Sequence, residues 1–416
     1  MSLRRTALEV LTDIAEDGAY ANLRLKQLPD TLPEQDRNWV AAVVYTTLER
    51  LSYIDFLLTH LTKRQKRKIR NVLRLSAAQL LYMRVPPHAA VSSGVTLCKE
   101  IGKADSCALV NAVLRKLPAL VADPPPLPND PADRFVIQYG CPAWAAKEWT
   151  ENYGAAFTED LLTAAAMGMT VRAQYPYTNA ELSNALPVPY VMGQLDEDCF
   201  CLERGFPVSE HQLFLQGSMT VQGQAAMAVC RVLGDVRGKR VLDACAAPGG
   251  KSAYLYSLSQ GEVDLTCWEL HPHRLALMNT TFARLQVKAD TACRDATEQN
   301  MAYRDAFDIV LLDAPCSGLG LLNDKVDIRL HKSSQDVDEL ARLQHRLLVA
   351  CADYVKPGGT LLYVTCTISR RENEEQIAAF MRDNPNFSLC MAGEKQWFPN
   401  VDGVDGFYYA EMVKCI

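Results

Sequence analysis

Apolar residues recur at three- and four-residue intervals from Leu3 to Leu120, as in Leu8, Leu11, Ile14 and Ala15, and again in Val40, Val43, Val44, Leu48 and Leu51. That spacing puts one apolar stripe on each of a succession of helices and predicts an all-α unit of six or seven helices over residues 1–122. The pattern stops at Asp123-Pro-Pro-Pro-Leu-Pro-Asn-Asp-Pro131, where repeated prolines forbid helix and favour an extended linker over 123–133. Residues 134–217 mix a helix, opening at Pro142 and running from Trp144 to Leu162, with short apolar stretches such as Pro187-Val-Pro-Tyr-Val-Met192. They predict a small α/β domain. From Ser218 apolar runs alternate with helical segments: Arg240-Val-Leu-Asp243, Val263 to Glu269, Phe307 to Asp313 and Leu361 to Cys366. This alternation predicts a doubly wound, Rossmann-like α/β domain with a parallel core over 218–416.

The chain has 416 residues, enough for two or three domains, each with its own core. No run of about 18 uncharged apolar residues occurs, so no membrane span is expected. Glu9 and Asp13 interrupt the stretch where a secretory signal needs an apolar centre, so a cytoplasmic protein is expected. The fourteen cysteines then read as reduced thiols, mostly small core hydrophobes. Cys199-Phe-Cys201 and His271-Pro-His273 each lack a matching second pair, so no metal is expected. The net charge of −6 conceals an uneven distribution. Residues 1–120 carry 18 Lys or Arg against 11 Asp or Glu, and Lys63-Arg-Gln-Lys-Arg-Lys-Ile-Arg70 concentrates the excess. Lys63, Arg64, Lys66, Arg67, Lys68 and Arg70 are therefore candidates for contacting nucleic-acid phosphates, with a solvated face as the alternative.

Two cysteines carry the candidate chemistry. Cys316 follows the run Phe307 to Asp313, and Cys366 ends the run Leu361 to Thr365. If both runs are strands of one parallel sheet, their ends share one crevice. The turn Ala244-Cys-Ala-Ala-Pro-Gly-Gly-Lys-Ser252, set between a strand and a helix, is built of small residues that let backbone approach a ligand. It lacks the earlier glycine of a P-loop, and reads as a different nucleotide-binding turn. Asp243, Glu269, Asp295 and Asp313 stand at successive strand ends. An acidic series of this kind suits a ligand with ribose, adenine and a cationic centre, and S-adenosylmethionine is one. The expected cofactor contacts are Cys245, Ala246, Ala247, Pro248, Gly249, Gly250, Lys251, Glu269, Asp295 and Asp313.

These motifs resemble a known family. Asp243-Ala-Cys-Ala-Ala-Pro-Gly-Gly-Lys251, Asp313-Ala-Pro-Cys-Ser-Gly318, and Tyr363-Val-Thr-Cys366 followed by Glu372-Asn-Glu374 resemble the RNA 5-methylcytosine methyltransferases of the Nol/Nop/Sun family. The helical front resembles NusB through Arg4-Arg5, Asp36-Arg37, Ser76-Ala-Ala-Gln-Leu-Leu-Tyr82, Pro86-Pro-His-Ala-Ala90 and Val110-Asn-Ala-Val-Leu-Arg115. Asp405-Gly-Phe-Tyr-Tyr-Ala410 is similar to that family's closing strand. A NusB-like domain joined to such a catalytic domain is similar to the members that act on bacterial 16S ribosomal RNA. The resemblance implies methylation of cytosine carbon 5, with Cys366 as nucleophile, Cys316 assisting release, Asp313 facing the base, and Lys251 serving cofactor or base. It also implies an RNA partner with an unpaired or flipped target cytosine, bound by a monomer. Alternatives are an enzyme of the same chemistry acting on tRNA or another RNA, and a non-catalytic RNA-binding assembly or transcription factor. The chain departs from the family pattern at Gly223, where an acid is usual, at Gln174 in Val171-Arg-Ala-Gln174, and at Asn323-Asp-Lys-Val326, which lacks the usual Arg-His-Pro before Asp327.

Overall fold

The computed structural model describes residues 2–63, 65–323 and 325–416. The chain divides into two compact units, one of residues 1–164 with 325–334, the other of 165–324 with 335–416.

The first unit opens with helices Leu3–Asp17, Ala21–Lys26, Glu34–Glu49, Leu51–Leu61, Arg67–Tyr82, Pro87–Glu100 and Cys107–Ala122, as the apolar spacing predicts. Their stripes meet in one core that includes Leu11, Ile14, Val40, Val44, Leu57, Val72, Leu75, Val110 and Leu114. Arg74, nearly buried, reaches Glu16 of the first helix and Asp55 of the fourth. Helix Pro131–Tyr139 begins inside the expected linker. There the last proline starts a helix instead of breaking one, because the first helical position needs no N–H, and the Asp130 side chain caps the Asp133 N–H at 3.1 Å. The single helix expected from Trp144 to Leu162 is two, Ala143–Tyr153 and Ala155–Thr163, separated by Gly154 at φ 86°. All three helices fold with the first unit, not with the sheet that follows. A short segment from the far end of the sequence, helix Val326–His331, completes this unit: Val326 enters its core, and Arg329 donates to the Tyr139 carbonyl at 2.7 Å.

The second unit contains two sheets. Strands β1 (Thr170–Ala173), β2 (Tyr190–Met192), β3 (Phe200–Leu202) and β4 (Met219–Val221) form a small antiparallel sheet in the order β2-β3-β1-β4. Helix Asn179–Ala185 lies beside it, started by a capping box between Thr178 and Glu181. Strands β5 (Arg240–Asp243), β6 (Asp264–Glu269), β7 (Asp290–Cys293), β8 (Phe307–Asp313), β9 (Val355–Thr365), β10 (Phe387–Trp397) and β11 (Phe407–Lys414) form the large sheet, in the order β10-β11-β9-β8-β5-β6-β7. β5 through β9 run parallel, β11 returns antiparallel to β9, and β10 pairs antiparallel to β11 at the edge.

Both faces of the large sheet are covered. Val241, Leu265, Ile309, Leu311, Leu362 and Val364 pack on one side, while Leu242, Trp268, Val310, Leu312, Leu361 and Tyr363 pack on the other. This two-residue alternation explains why the strands read as continuous apolar runs. The chain order reverses between β5 and β8, so a crevice opens there at the carboxyl ends of the strands. The Asp243, Glu269 and Asp313 ends, the β7–Asp295 turn and both cysteine loops lie at that edge.

Candidate active site

β8 and β9 pair in parallel with Asp313 opposite Val364, so the chains leaving them rise side by side. Pro315-Cys316 and Cys366 meet there, with the sulfurs 3.3 Å apart and neither cysteine in a disulfide. The Cys366 N–H also points at the Cys316 sulfur, at 3.3 Å. The hydrogen bond with Cys366, together with burial, holds the Cys316 thiol well above the ordinary thiol range. The protonated form of Cys316 is therefore the favoured one, and either sulfur can be the donor in the 3.3 Å contact.

Lys251 and Asp313 form an ion pair at 2.6 Å beside the thiols. Burial opposes the Lys251 charge, but attraction to Asp313, with smaller help from Cys230 and Cys366, keeps the ammonium above its ordinary value. A fixed positive charge in reach of Cys366 favours its thiolate. Asp313 thus reaches the crevice while anchoring the lysine, and Lys251 belongs to the thiol end of the site.

A cavity of about 280 Å³ runs from these groups across the switch point. Its lining includes Cys245, Ala247, Glu269, Asp295, Asp313, Cys316 and Cys366. Ala246, Pro248, Gly249, Gly250 and Lys251 are not among its lining residues, although all were expected at the cofactor. The turn is small for a second reason: Gly249 sits at φ 97°, and a Cβ there would lie 2.6 Å from the Phe282 ring. Gly249 is required by helix packing as well as by backbone conformation.

Glu269, almost buried, accepts from the His271 N–H at 3.0 Å and pairs with Arg274 at 3.3 Å. Arg274 also donates to the Ala247 carbonyl at 2.7 Å, tying the glycine turn to the end of β6. Asp295 accepts from the Thr297 N–H and hydroxyl, which hold its carboxyl below the ordinary range. Asp243 is different, being fully buried and bound by the Ser252 hydroxyl at 2.6 Å. Burial pushes it up to about 7, so this acid braces the helix start instead of lining the cavity.

Several residues escaped the sequence reading. Arg274, His271, Arg294 and Thr297 line the cavity rim. Arg294 stacks over Trp268, 4.9 Å from the ring centre. Its place beside Asp295 in the chain was the available signal. At two of the departures the structure supplies a physical context. The Gln174 amide oxygen accepts from buried Arg172 at 2.8 Å, so the longer side chain still makes that bond. A Cβ on Gly223 would lie 3.0 Å from the Asp405 carboxylate, so an acid there would crowd a like charge. In Asn323-Asp-Lys-Val326, Asp324 lies outside the described residues.

The basic cluster is partly spent within the first unit. Arg67 pairs with Asp17, and Arg70 with Glu16 at 2.6 Å. Lys63, Lys66 and Lys68 are exposed and form no ion pair among the described residues, and Arg64 lies outside them. No group of three metal-ligating side chains is placed to hold an ion among the described residues, and none of their helices is long and apolar enough to cross a membrane.

The family model described as 16S rRNA methyltransferase RsmB/F matches residues 230–413, and that of the NusB family matches residues 1–118. A probable ribosomal RNA small subunit methyltransferase B of Bacillus subtilis is 33% identical, covering 99% of this chain and 99% of that protein. Ribosomal RNA small subunit methyltransferase B of Shewanella oneidensis is 30% identical, covering 100% and 99%. The crystal structure of PH0851 shares the fold over 100% of this chain and 99% of that one, with a TM-score of 0.81 at 21% identity. A methyltransferase homolog from Pyrococcus horikoshii covers 66% of this chain and 95% of its own, with a TM-score of 0.58 at 24% identity.

Proposed function

The chain belongs to the RsmB/F family of 16S rRNA methyltransferases, and from that premise we propose that it methylates carbon 5 of a cytosine in 16S rRNA through a covalent bond between Cys366 and carbon 6. S-adenosylmethionine is the cofactor, and it supplies an electrophilic methyl group. The crevice suits it: the Glu269 and Asp295 carboxylates can accept from hydroxyl and amino groups, and Asp313 and the thiols stand at the far end of the same cavity.

The observation that carries the reading is the pair of thiols 3.3 Å apart, one of them held protonated. Carbon 5 of cytosine is a poor nucleophile. Addition of the Cys366 sulfur to carbon 6 pushes an electron pair to carbon 5, which can then take the methyl group. Lys251 favours the attacking thiolate, and Asp313 presents a carboxylate to the edge of the base. The carbon 5 proton must leave before the carbon–sulfur bond can break and restore the aromatic ring. Once Cys366 is a thioether, its hydrogen bond and charge no longer raise Cys316. Cys316 can then give its proton to solvent water, and the resulting thiolate is the base that takes the proton from carbon 5. The target base must be unpaired or flipped out to expose carbon 6.

The two thiols separate in a trapping experiment. Cys366→Ala should abolish methylation and leave no adduct. Cys316→Ala should transfer the methyl group and stall, leaving an RNA–protein species that survives denaturing electrophoresis, and the double variant should lose it. Accumulation in Cys366→Ala alone would reverse the roles, and accumulation in neither would remove covalent catalysis by this pair.

A further inference from the structure

Glu372 lies in the loop after β9, fully buried, six residues beyond Cys366. Its carboxylate gathers donors from both cysteine loops. Oε1 accepts from the Ser317 N–H at 2.8 Å and from the Gln344 side chain at 3.0 Å. Oε2 accepts from the Ser317 hydroxyl and from the Thr367 hydroxyl at 3.1 Å. Ser317 directly follows Cys316, and Thr367 directly follows Cys366. Gln344 closes the ring by donating to the Pro315 carbonyl at 2.9 Å, immediately before Cys316. The Glu372 main chain is held as well, with its N–H on the Ser369 carbonyl at 3.0 Å and its carbonyl accepting from Tyr363 at 2.7 Å.

The two oxygens of a carboxylate have the lone pairs to accept all four donors. A neutral amide of this size would offer one acceptor oxygen to these donors and would bring no charge. The charge is placed unevenly, because Glu372 is one of the groups that raise Cys316 while Lys251 acts on Cys366.

We propose that Glu372 is the positioning residue that assigns the two thiols their separate tasks: its four hydrogen bonds lash the Cys316 loop to the Cys366 loop, and its carboxylate sits on the Cys316 side. Before attack the charge keeps the proton on Cys316, so that Cys366 is the thiolate. After attack, with Cys366 consumed as a thioether, Cys316 gives its proton to solvent water, and the same charge makes the resulting thiolate the stronger base for the carbon 5 proton. The groups that face the pair are Lys251 from the helix after β5, Asp313 from β8, Tyr363 from β9 and Glu372 itself. Among the described residues, Glu372 places a carboxylate in hydrogen bonds with both loops.

The inference rests on Cys366 being the nucleophile, and its first test needs no RNA. Iodoacetamide alkylation of each thiol, followed across pH by peptide mass spectrometry, should show Cys366 reacting at lower pH than Cys316 in the wild-type chain. Cys316 reacting first in the wild type would overturn the proposal before any variant is made. In Glu372→Gln, alkylation of Cys316 at a fixed pH should rise about tenfold, because loss of the carboxylate removes one of the groups that raise this thiol. Glu372→Asp, which keeps the charge, should restore the wild-type order, and Gln344→Leu, which removes one brace and keeps the charge, should leave it unchanged. Equal alkylation profiles in Glu372→Gln and the wild type would reduce Glu372 to a structural brace. On RNA, Glu372→Gln should lower kcat with little change in KM and lengthen the life of the adduct. If no variant ever forms an adduct, the reading of the reaction fails while the alkylation order still tests Glu372.

Discussion

Replacing Gly320 by alanine adds one methyl group at the place where the catalytic loops cross. Gly320 donates its N–H to the Cys366 carbonyl at 3.1 Å, and its own carbonyl accepts from the Gly406 N–H at 2.9 Å. The two backbones touch so closely that a Cβ on Gly320 would lie 1.9 Å from the Gly406 oxygen and 2.5 Å from its carbonyl carbon. No rotamer relieves this, because every near atom is main chain. A carbon–oxygen contact needs about 3.3 Å, so the strands must part by about 1.4 Å. Two buried hydrogen bonds would stretch or break, at about 1–3 kcal/mol for each group left unsatisfied, or roughly 3 kcal/mol in all. One of them seats Cys366. A displacement of about 1 Å at a reacting group costs on the order of a hundredfold in rate. Single-turnover transfer of labelled methyl to small-subunit rRNA should therefore fall by about that factor in Gly320→Ala. Cofactor affinity by calorimetry should change little, since Glu269 and Asp295 lie at other strands. Gly406→Ala should behave alike, because its Cβ would lie 2.5 Å from the Gly320 Cα, and the double variant should cost less than the sum. A Gly320→Ala enzyme with wild-type single-turnover rate would show that this crossing does not position the nucleophile.

Gly249→Val should lower the melting temperature through strain at φ 97° and collision with Phe282, and an unchanged melting curve would contradict the packing account. Changing Lys63, Lys66 and Lys68 together to Gln should weaken RNA binding and flatten the slope of log affinity against log salt, by up to about 0.7–0.9 per lost phosphate contact. Substituting Arg67 and Arg70 should reduce stability as well, because they pair with Asp17 and Glu16, and filter binding beside thermal melts separates the two effects. Asp243 titrates at about 7 in the folded chain, above its unfolded value, so folding takes up a proton. The stability it lends is present at acid pH and is lost as pH rises toward 7, by an amount that approaches about 4 kcal/mol. Asp243→Asn should therefore gain on the wild type in denaturant midpoint between about pH 4 and pH 7, and parallel pH profiles would refute the burial argument.

The elements of this protein could be read from local pattern. Helical spacing marked the first seven helices of the first unit, and continuous apolar runs marked β5, β6, β8 and β9, because a strand covered on both faces needs no polar alternation. The site's chemistry was legible for a related reason, since thiols, acids and small turn residues declare themselves by type. Position was not legible. Arg67 and Arg70 look in sequence like the free cations beside them, and only the packing of the fifth helix on the first brings Glu16 and Asp17 to neutralise them. Gly249 looks like a ligand-facing glycine, and only the Phe282 ring, 33 residues away, shows what else excludes a side chain. Glu372 stands in a recognisable motif, yet its task depends on Ser317 and Gln344, brought from 55 and 28 residues away. Propensity and hydrophobic period act over a few residues, so the sequence by itself determined which elements form and which reactive groups they carry. The pairing of the two thiols depends on a 3.3 Å distance between distant parts of the chain, and that distance exists only once the sheet has closed.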